Sequence, residues 1–304
     1  MSDIPQEAAP PPEEEPPQRQ RTPFLVLQFF IFPMAIVAIC VLVFVLFGLV
    51  ASEGRGARDY LNEVKTGGAN RRWQAAFELS KVLQAGKDPA LRDPSFISEV
   101  ARVFDESAAD DPRVRRYLAV ALGRLGDKRA VPVLLKALEE PVGGASADPD
   151  TRIYAVWALG VIGDAEALPR LLALASHEDA GLRKAAVYAL GGFASEESRA
   201  VLARALADPV EDVRWNAALA LARRGDARAA PVLLQMMDRA HLSKVTGLSE
   251  PQRDEAMLEA VKVAASVPDR SLREALERLR DGDSSLKVRE AARSALAATA
   301  TPGP

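Results

Sequence analysis

One pattern returns along this chain at a fixed distance. "DPDTRIYAVWALGVIGDAEALPRLLALA" (148–175), "DAGLRKAAVYALGGFASEESRAVLARAL" (179–206) and "VEDVRWNAALALARRGDARAAPVLLQMM" (210–237) share it, and their arginines Arg152, Arg183 and Arg214 lie 31 residues apart. A fourth copy, "DPRVRRYLAVALGRLGD" followed by "KRAVPVLLKALEE", precedes them. A period of this size means one supersecondary unit per repeat, too small to bury its own apolar face. Such units reach stability by stacking on their neighbours.

The fourth copy shows what the unit is. Asp111 is placed to cap a helix, and Pro112 falls at the first helical position, where its missing N–H costs nothing. Val114, Leu118, Ala121, Leu122 and Leu125 then form one apolar stripe at helical spacing. Gly126 suits the left-handed residue that ends a helix, and Asp127 caps a second one carrying Leu134, Leu135, Ala137 and Leu138. The unit is a helical hairpin of about thirty residues. Looser copies surround the four: "RWQAAFELSKVL" from Arg72, "QRDEAMLEAVKVAA" around Arg253 and "VREAARSALAA" around Arg289. Seven anchors, Arg72, Arg115, Arg152, Arg183, Arg214, Arg253 and Arg289, thus predict an all-α fold, an α-solenoid of about seven hairpins over residues 69–299.

The pattern D-x-x-V/L-R-x-x-A-x-x-A-L-G-x-x-G-D, followed by A-x-x-x-L-x-x-A-L, resembles the short HEAT-like repeat of the phycobilisome-lyase type. The match is close over Asp111–Leu138, Asp148–Ala175 and Ala180–Leu206, good over 210–237, and weaker at both ends. The resemblance implies an α-solenoid that binds partners, because most proteins with such repeats are scaffolds, regulators or adaptors. Pigment attachment belongs to a minority of them, and it is not carried over to this chain.

Two segments lie outside the repeats. Residues 1–23 hold seven prolines, five acids and two arginines, and their composition predicts a disordered tail. Phe24–Val50 carries no charge, with Gln28 its one polar side chain, and predicts a transmembrane helix over 24–51. Residues 52–68 read as a juxtamembrane linker and 300–304 as a disordered end. Arg19 and Arg21 before the span, against Arg55, Arg58, Lys65, Arg71 and Arg72 after it, favour a single-pass protein with a cytoplasmic solenoid. The one cysteine, Cys40, falls inside this span and forms no disulfide within the chain.

Nothing in the sequence announces chemistry. His177 and His241 stand in different repeats, and no metal, nucleotide or dinucleotide motif is present. The expectation is no enzyme, no cofactor and no small-molecule substrate. Beyond the tail the chain holds 37 acids and 37 bases, which argues against nucleic acid as a partner. The expected partners are another protein, membrane-associated, and the lipid bilayer through residues 24–51.

Three groups of residues are candidates for contact. In such solenoids the second helices usually line the concave surface. Aligning them puts Lys136, Ala173, Arg204 and Gln235 in one column and Val133, Arg170, Val201 and Val232 one turn earlier. On the first helices, the residue after the anchor is Trp73, Arg116, Lys184 or Trp215, read as an exposed position, with the tryptophans as contact candidates. The anchors themselves are expected to pair with the acid of their own cap or of the next hairpin's. The stretched spacings at 141–150 and 238–250 read as plain loops. Together these readings predict a non-catalytic, membrane-anchored scaffold or regulatory subunit; the alternative is a lyase-related accessory factor handling a chromophore or cofactor.

Overall fold

The computed structural model describes residues 31–51, 55–139 and 148–300. It divides into two units, Met1–Gly54 and Arg55–Pro304. The first contains one described helix, α1 (Phe32–Ala51), with Cys40 exposed on it. The expected membrane span is not met: among the described residues no helix is long and apolar enough to cross a membrane. The rest of the expected tail, span and C-terminal end, 1–30 and 301–304, lies outside the described residues. This overturns the single-pass, cytoplasmic placement, and with it the orientation drawn from Arg19, Arg21, Arg55 and their neighbours and the bilayer as a partner.

The second unit is helical, with no strand among the described residues. The expected linker at 52–68 is instead a helix, α2 (Ala57–Thr66), because Ala57, Leu61 and Val64 recur at helical spacing. These three are buried against α3 (Ala69–Gln84). From α3 the chain alternates between two layers. First helices are α3, α5 (Pro112–Leu125), α7 (Pro149–Ile162), α9 (Ala180–Leu190), α11 (Glu211–Ala222), α14 (Glu250–Ala264) and α16 (Leu286–Ala300). Second helices are α4 (Pro94–Glu106), α6 (Val131–Glu139), α8 (Leu168–Leu174), α10 (Glu196–Ala205), α12 (Ala230–Met236) and α15 (Arg270–Gly282). Six hairpins are complete rather than seven; α16 closes the described stack against α14 and α15 without a second helix of its own.

The local chemistry is as the repeat demands. Asp111, Asp148 and Asp179 each accept a bond from a first-turn backbone N–H, and Pro112 and Pro149 open their helices. Gly126 and Gly163 take left-handed backbone at the helix ends, with φ of 65° and 69°. The stretch at 238–250 is not a plain loop. It holds the short helix α13 (Arg239–Leu242), whose Arg239 donates to Asp283 at 2.7 Å and to Asp254 at 2.8 Å. That clamp joins α13 to α14 and to the turn between α15 and α16.

What fixes the spacing of the first-helix layer is glycine. A Cβ on Gly123 would stand 2.7 Å from the Trp157 ring and 3.0 Å from Ala158 Cα. On Gly160 it would stand 2.5 Å from Ala189 Cβ and 2.6 Å from Ala189 Cα. Gly191 meets Ala220 Cβ at 3.1 Å. Three pairs of neighbouring first helices thus come into near-backbone contact at one recurring position, eight residues after Arg115, Arg152 and Arg183.

Gly160→Ala should therefore cost about 1–3 kcal/mol by overpacking against backbone that cannot rotate away. Gly163→Ala, whose site is open, should cost about 1 kcal/mol through its left-handed φ alone. Urea unfolding of the two variants gives the order; equal midpoints would refute the close-contact account.

Candidate functional site

The anchor arginines are structural, and their partners are mostly carbonyls. Arg72 donates from Nε to Val64 O at 2.7 Å and from Nη1 to Asp110 at 2.7 Å. Arg152 donates to Leu138 O, near the C-terminus of α6, at 3.2 Å. Arg183 donates to His177 O and Glu178 O, both at 2.9 Å, and Arg214 does the same to Asp208 O and Pro209 O at 2.7 and 3.0 Å. Arg115 is buried and lies over the Phe104 ring at 5.0 Å. Arg253 and Arg289 are half-buried, and neither pairs with a carboxylate among the described residues. Of the two expected partners, the acid of the anchor's own cap or of the next hairpin's, the structure shows acids just before the next first helix at Arg72 with Asp110 and Arg183 with Asp208. Among the described residues, carboxylates join Arg72, Arg183 and Arg214, from Asp110, Asp208 and Glu211.

A second ladder, which the sequence reading missed, runs through the position after the anchor. Arg116, expected to face outward, reaches the next hairpin and donates to Asp148 at 2.6 Å and to Asp150 at 3.0 Å. Lys184 pairs with Asp212 in the same way. Trp73 lies under the Arg113 guanidinium at 4.4 Å, and Ile153 packs where Gly181 leaves room. Trp215 is buried, with its indole Nε1 lacking a hydrogen-bond partner among the described residues. Neither tryptophan is an open contact.

The second-helix columns divide. Val201 and Val232 are core, and Val133 is half-buried against it. Arg170 is spent on Leu138 O at 3.1 Å. Lys136, Arg204 and Gln235 are exposed, and Lys136 pairs with Asp105 at 2.7 Å. No apolar stripe survives on that layer.

An apolar surface appears on the first helices instead. Five residues after the anchor stand Phe77, Val120, Trp157, Tyr188, Leu219 and Leu258, and none of the six is buried. Tyr154 adds to them at 38 % exposure and Tyr188 shows 49 %. Phe77 and Tyr117 meet edge to face with centroids 5.1 Å apart. Between α5, α7, α9 and α11 this surface sinks into an open groove of about 660 Å³, lined by Val120, Arg124, Ile153, Tyr154, Trp157, Gly181, Lys184, Ala185, Tyr188 and Asn216. Arg124 donates to Ser80 O from its edge, and burial holds its pKa below the ordinary arginine value. The signal was in the sequence, as a position apolar in six repeats yet outside the core stripe.

Among the described residues no three His, Cys, Asp or Glu side chains gather where they could hold a metal ion. A model of HEAT repeats matches residues 143–212 and 182–250, and one of the PBS lyase HEAT-like repeat matches 114–140. HEAT repeats are thus found over residues 114–140 and 143–250. The chain is similar to the complex of CpcE and CpcF of phycocyanin lyase from Nostoc sp. PCC7120, at 20 % identity and TM-score 0.52, covering 82 % of this chain and 97 % of that one. Human deoxyhypusine hydroxylase in complex with glycerol matches at 19 % identity and TM-score 0.33, over 80 % of this chain and 96 % of that one. No curated protein matches the chain in sequence. At these identities the likeness to the lyase subunits shows the HEAT solenoid fold alone.

The ion pairs between HEAT hairpins give the stack an acid-side limit. Bonds from Arg116 hold Asp148 below the ordinary carboxyl range against the cost of burial. Burial alone would raise Asp208, but Arg183, the Val210 N–H and nearby Arg214 together outweigh it and leave it lowered. Such depressed carboxyls contribute stability that is complete above about pH 4 and lost as pH falls through their lowered values. Asp148→Asn should flatten the acid unfolding curve followed by circular dichroism. Arg183→Met, which strands the largely buried Asp208, should cost about 1–3 kcal/mol at neutral pH.

Proposed function

We propose that the solenoid is a non-catalytic scaffold or regulatory subunit that binds a partner protein through its first-helix layer. One observation carries the reading: the apolar position five residues after the anchor is never fully buried from Phe77 to Leu258, and it puts the exposed rings of Phe77 and Tyr188, joined by Tyr154, on the first helices. Exposed aromatic side chains on neighbouring helices mark interaction surfaces. The groove's lining supports binding over catalysis. It contains no His, Cys, Ser or carboxylate, and its lysine is engaged by Asp212.

A second reading, an accessory factor for a chromophore or cofactor, draws on the groove's volume, which lies in the range of small-molecule sites. The fold of the phycocyanin lyase subunits is consistent with it. Chain purified from its own cells should show no absorbance beyond its protein bands; a bound pigment would favour this second reading.

A photo-crosslinking amino acid placed in turn at Tyr188 and at Gln235 tests the scaffold reading. A reproducible protein adduct from Tyr188 in the cells of origin is the expected result. Adducts at neither position would overturn it.

A further inference from the structure

We propose that the groove receives an acidic, apolar segment of the partner protein, with Tyr154 and Tyr188 holding a large apolar side chain and Arg124 a carboxylate. This rests on the scaffold reading above and specifies the chemistry of what the scaffold holds.

Charge is the first argument. The lining carries two cations and no carboxylate. Lys184 is neutralised by Asp212, which stands outside the lining. Arg124 is different: its Nη1 donates to the Ser80 carbonyl, and it has no carboxylate partner among the described residues. A half-buried guanidinium beside aromatic rings lacks the water that would stabilise it. A carboxylate brought by a ligand forms charge-assisted bonds there that are stronger than in open solvent. A basic segment would meet the opposite condition.

Shape is the second. The groove crosses four successive first helices, α5, α7, α9 and α11. Helices packed in contact stand about 8–10 Å apart, so three steps span about 25 Å. An extended chain covers that length in about eight residues. Exposed aromatics stand on successive first helices, Tyr154 on α7 and Tyr188 on α9, and Phe77 on α3 meets the half-buried Tyr117 of α5 edge to face. Trp157 is fixed from behind by its contact with Gly123, so it serves as a floor, while both tyrosines project into solvent.

The test is a selection of random dodecapeptides, displayed on phage, against the full chain. Enriched peptides should carry Asp or Glu within two positions of Trp, Phe or Leu. Their synthetic forms should bind Tyr188→Ala at least about tenfold more weakly than the parent, as expected for loss of an aromatic anchor, and Tyr188→Phe nearly as well. Arg124→Met should weaken binding and also flatten its dependence on salt, an effect that loss of packing alone would not produce. Thermal unfolding midpoints of all variants report whether the fold is retained, and Tyr154→Ala repeats the aromatic test at a second exposed site. Failure to enrich, enrichment of basic or uncharged peptides, or equal binding by folded Tyr188→Ala and Tyr154→Ala would each overturn the proposal. Adducts at Gln235 alone would overturn both the first-helix reading and the groove, whereas adducts at Tyr188 with no acidic peptides enriched would leave the first-helix scaffold and remove only the acidic ligand.

Discussion

The close contact between consecutive first helices governs the rest of this structure. Gly123 against Ala158, Gly160 against Ala189 and Gly191 against Ala220 bring helices to near-backbone contact at one position in each of three successive hairpins. Helices this close leave little width between them for side chains that flank the contact. The position three residues earlier on these helices, at Val120, Trp157 and Tyr188, is therefore held at the edge of the layer and stays partly exposed. Tight packing and an uncovered apolar row are two results of one geometric choice.

The arginines answer a different need. Each hairpin ends in carbonyls that lack a helical partner, and a cation there also meets the negative end of the helix dipole. Leu138 O receives both Arg152 from the next first helix and Arg170 from the next second helix. Arg224 does the same at the turn inside a hairpin, at the end of α9, through Leu190 O and Gly191 O, each at 3.1 Å. Salt bridges at the surface add little individually. Guanidinium groups that satisfy otherwise stranded carbonyls contribute more, because an unsatisfied buried acceptor is the costlier state.

The hairpin, its caps and its period were legible because each depends on residues close in sequence: Asp111 with Pro112, Gly126 with Asp127. The boundary at 52–68 was missed since α2 buries only three side chains, and its partner α3 had to be in place to show why. Arg116 looked free because its partners Asp148 and Asp150 belong to the next hairpin, and sequence alone aligns repeats without saying which edges meet. Val201 and Val232 were read as surface for the same reason. The aromatic row was visible as a column, but only the packing of helix against helix shows that the column is left uncovered. The apolar run at 24–51 shows the opposite limit, since hydropathy alone did not establish a span there.

The glycine contact has a consequence for how such a surface can change over generations. Because the groove lies between hairpins, none of them encodes it alone, and its length is counted in repeats. Duplication of one hairpin within the row would extend the groove by one helix spacing with its rings already in phase. Loss of one would shorten it by the same step and move every later ring in register. The reach of this surface is thus quantised by the same unit that builds the core, so the length of what it can hold is edited by copying a repeat and its chemistry by changing one ring.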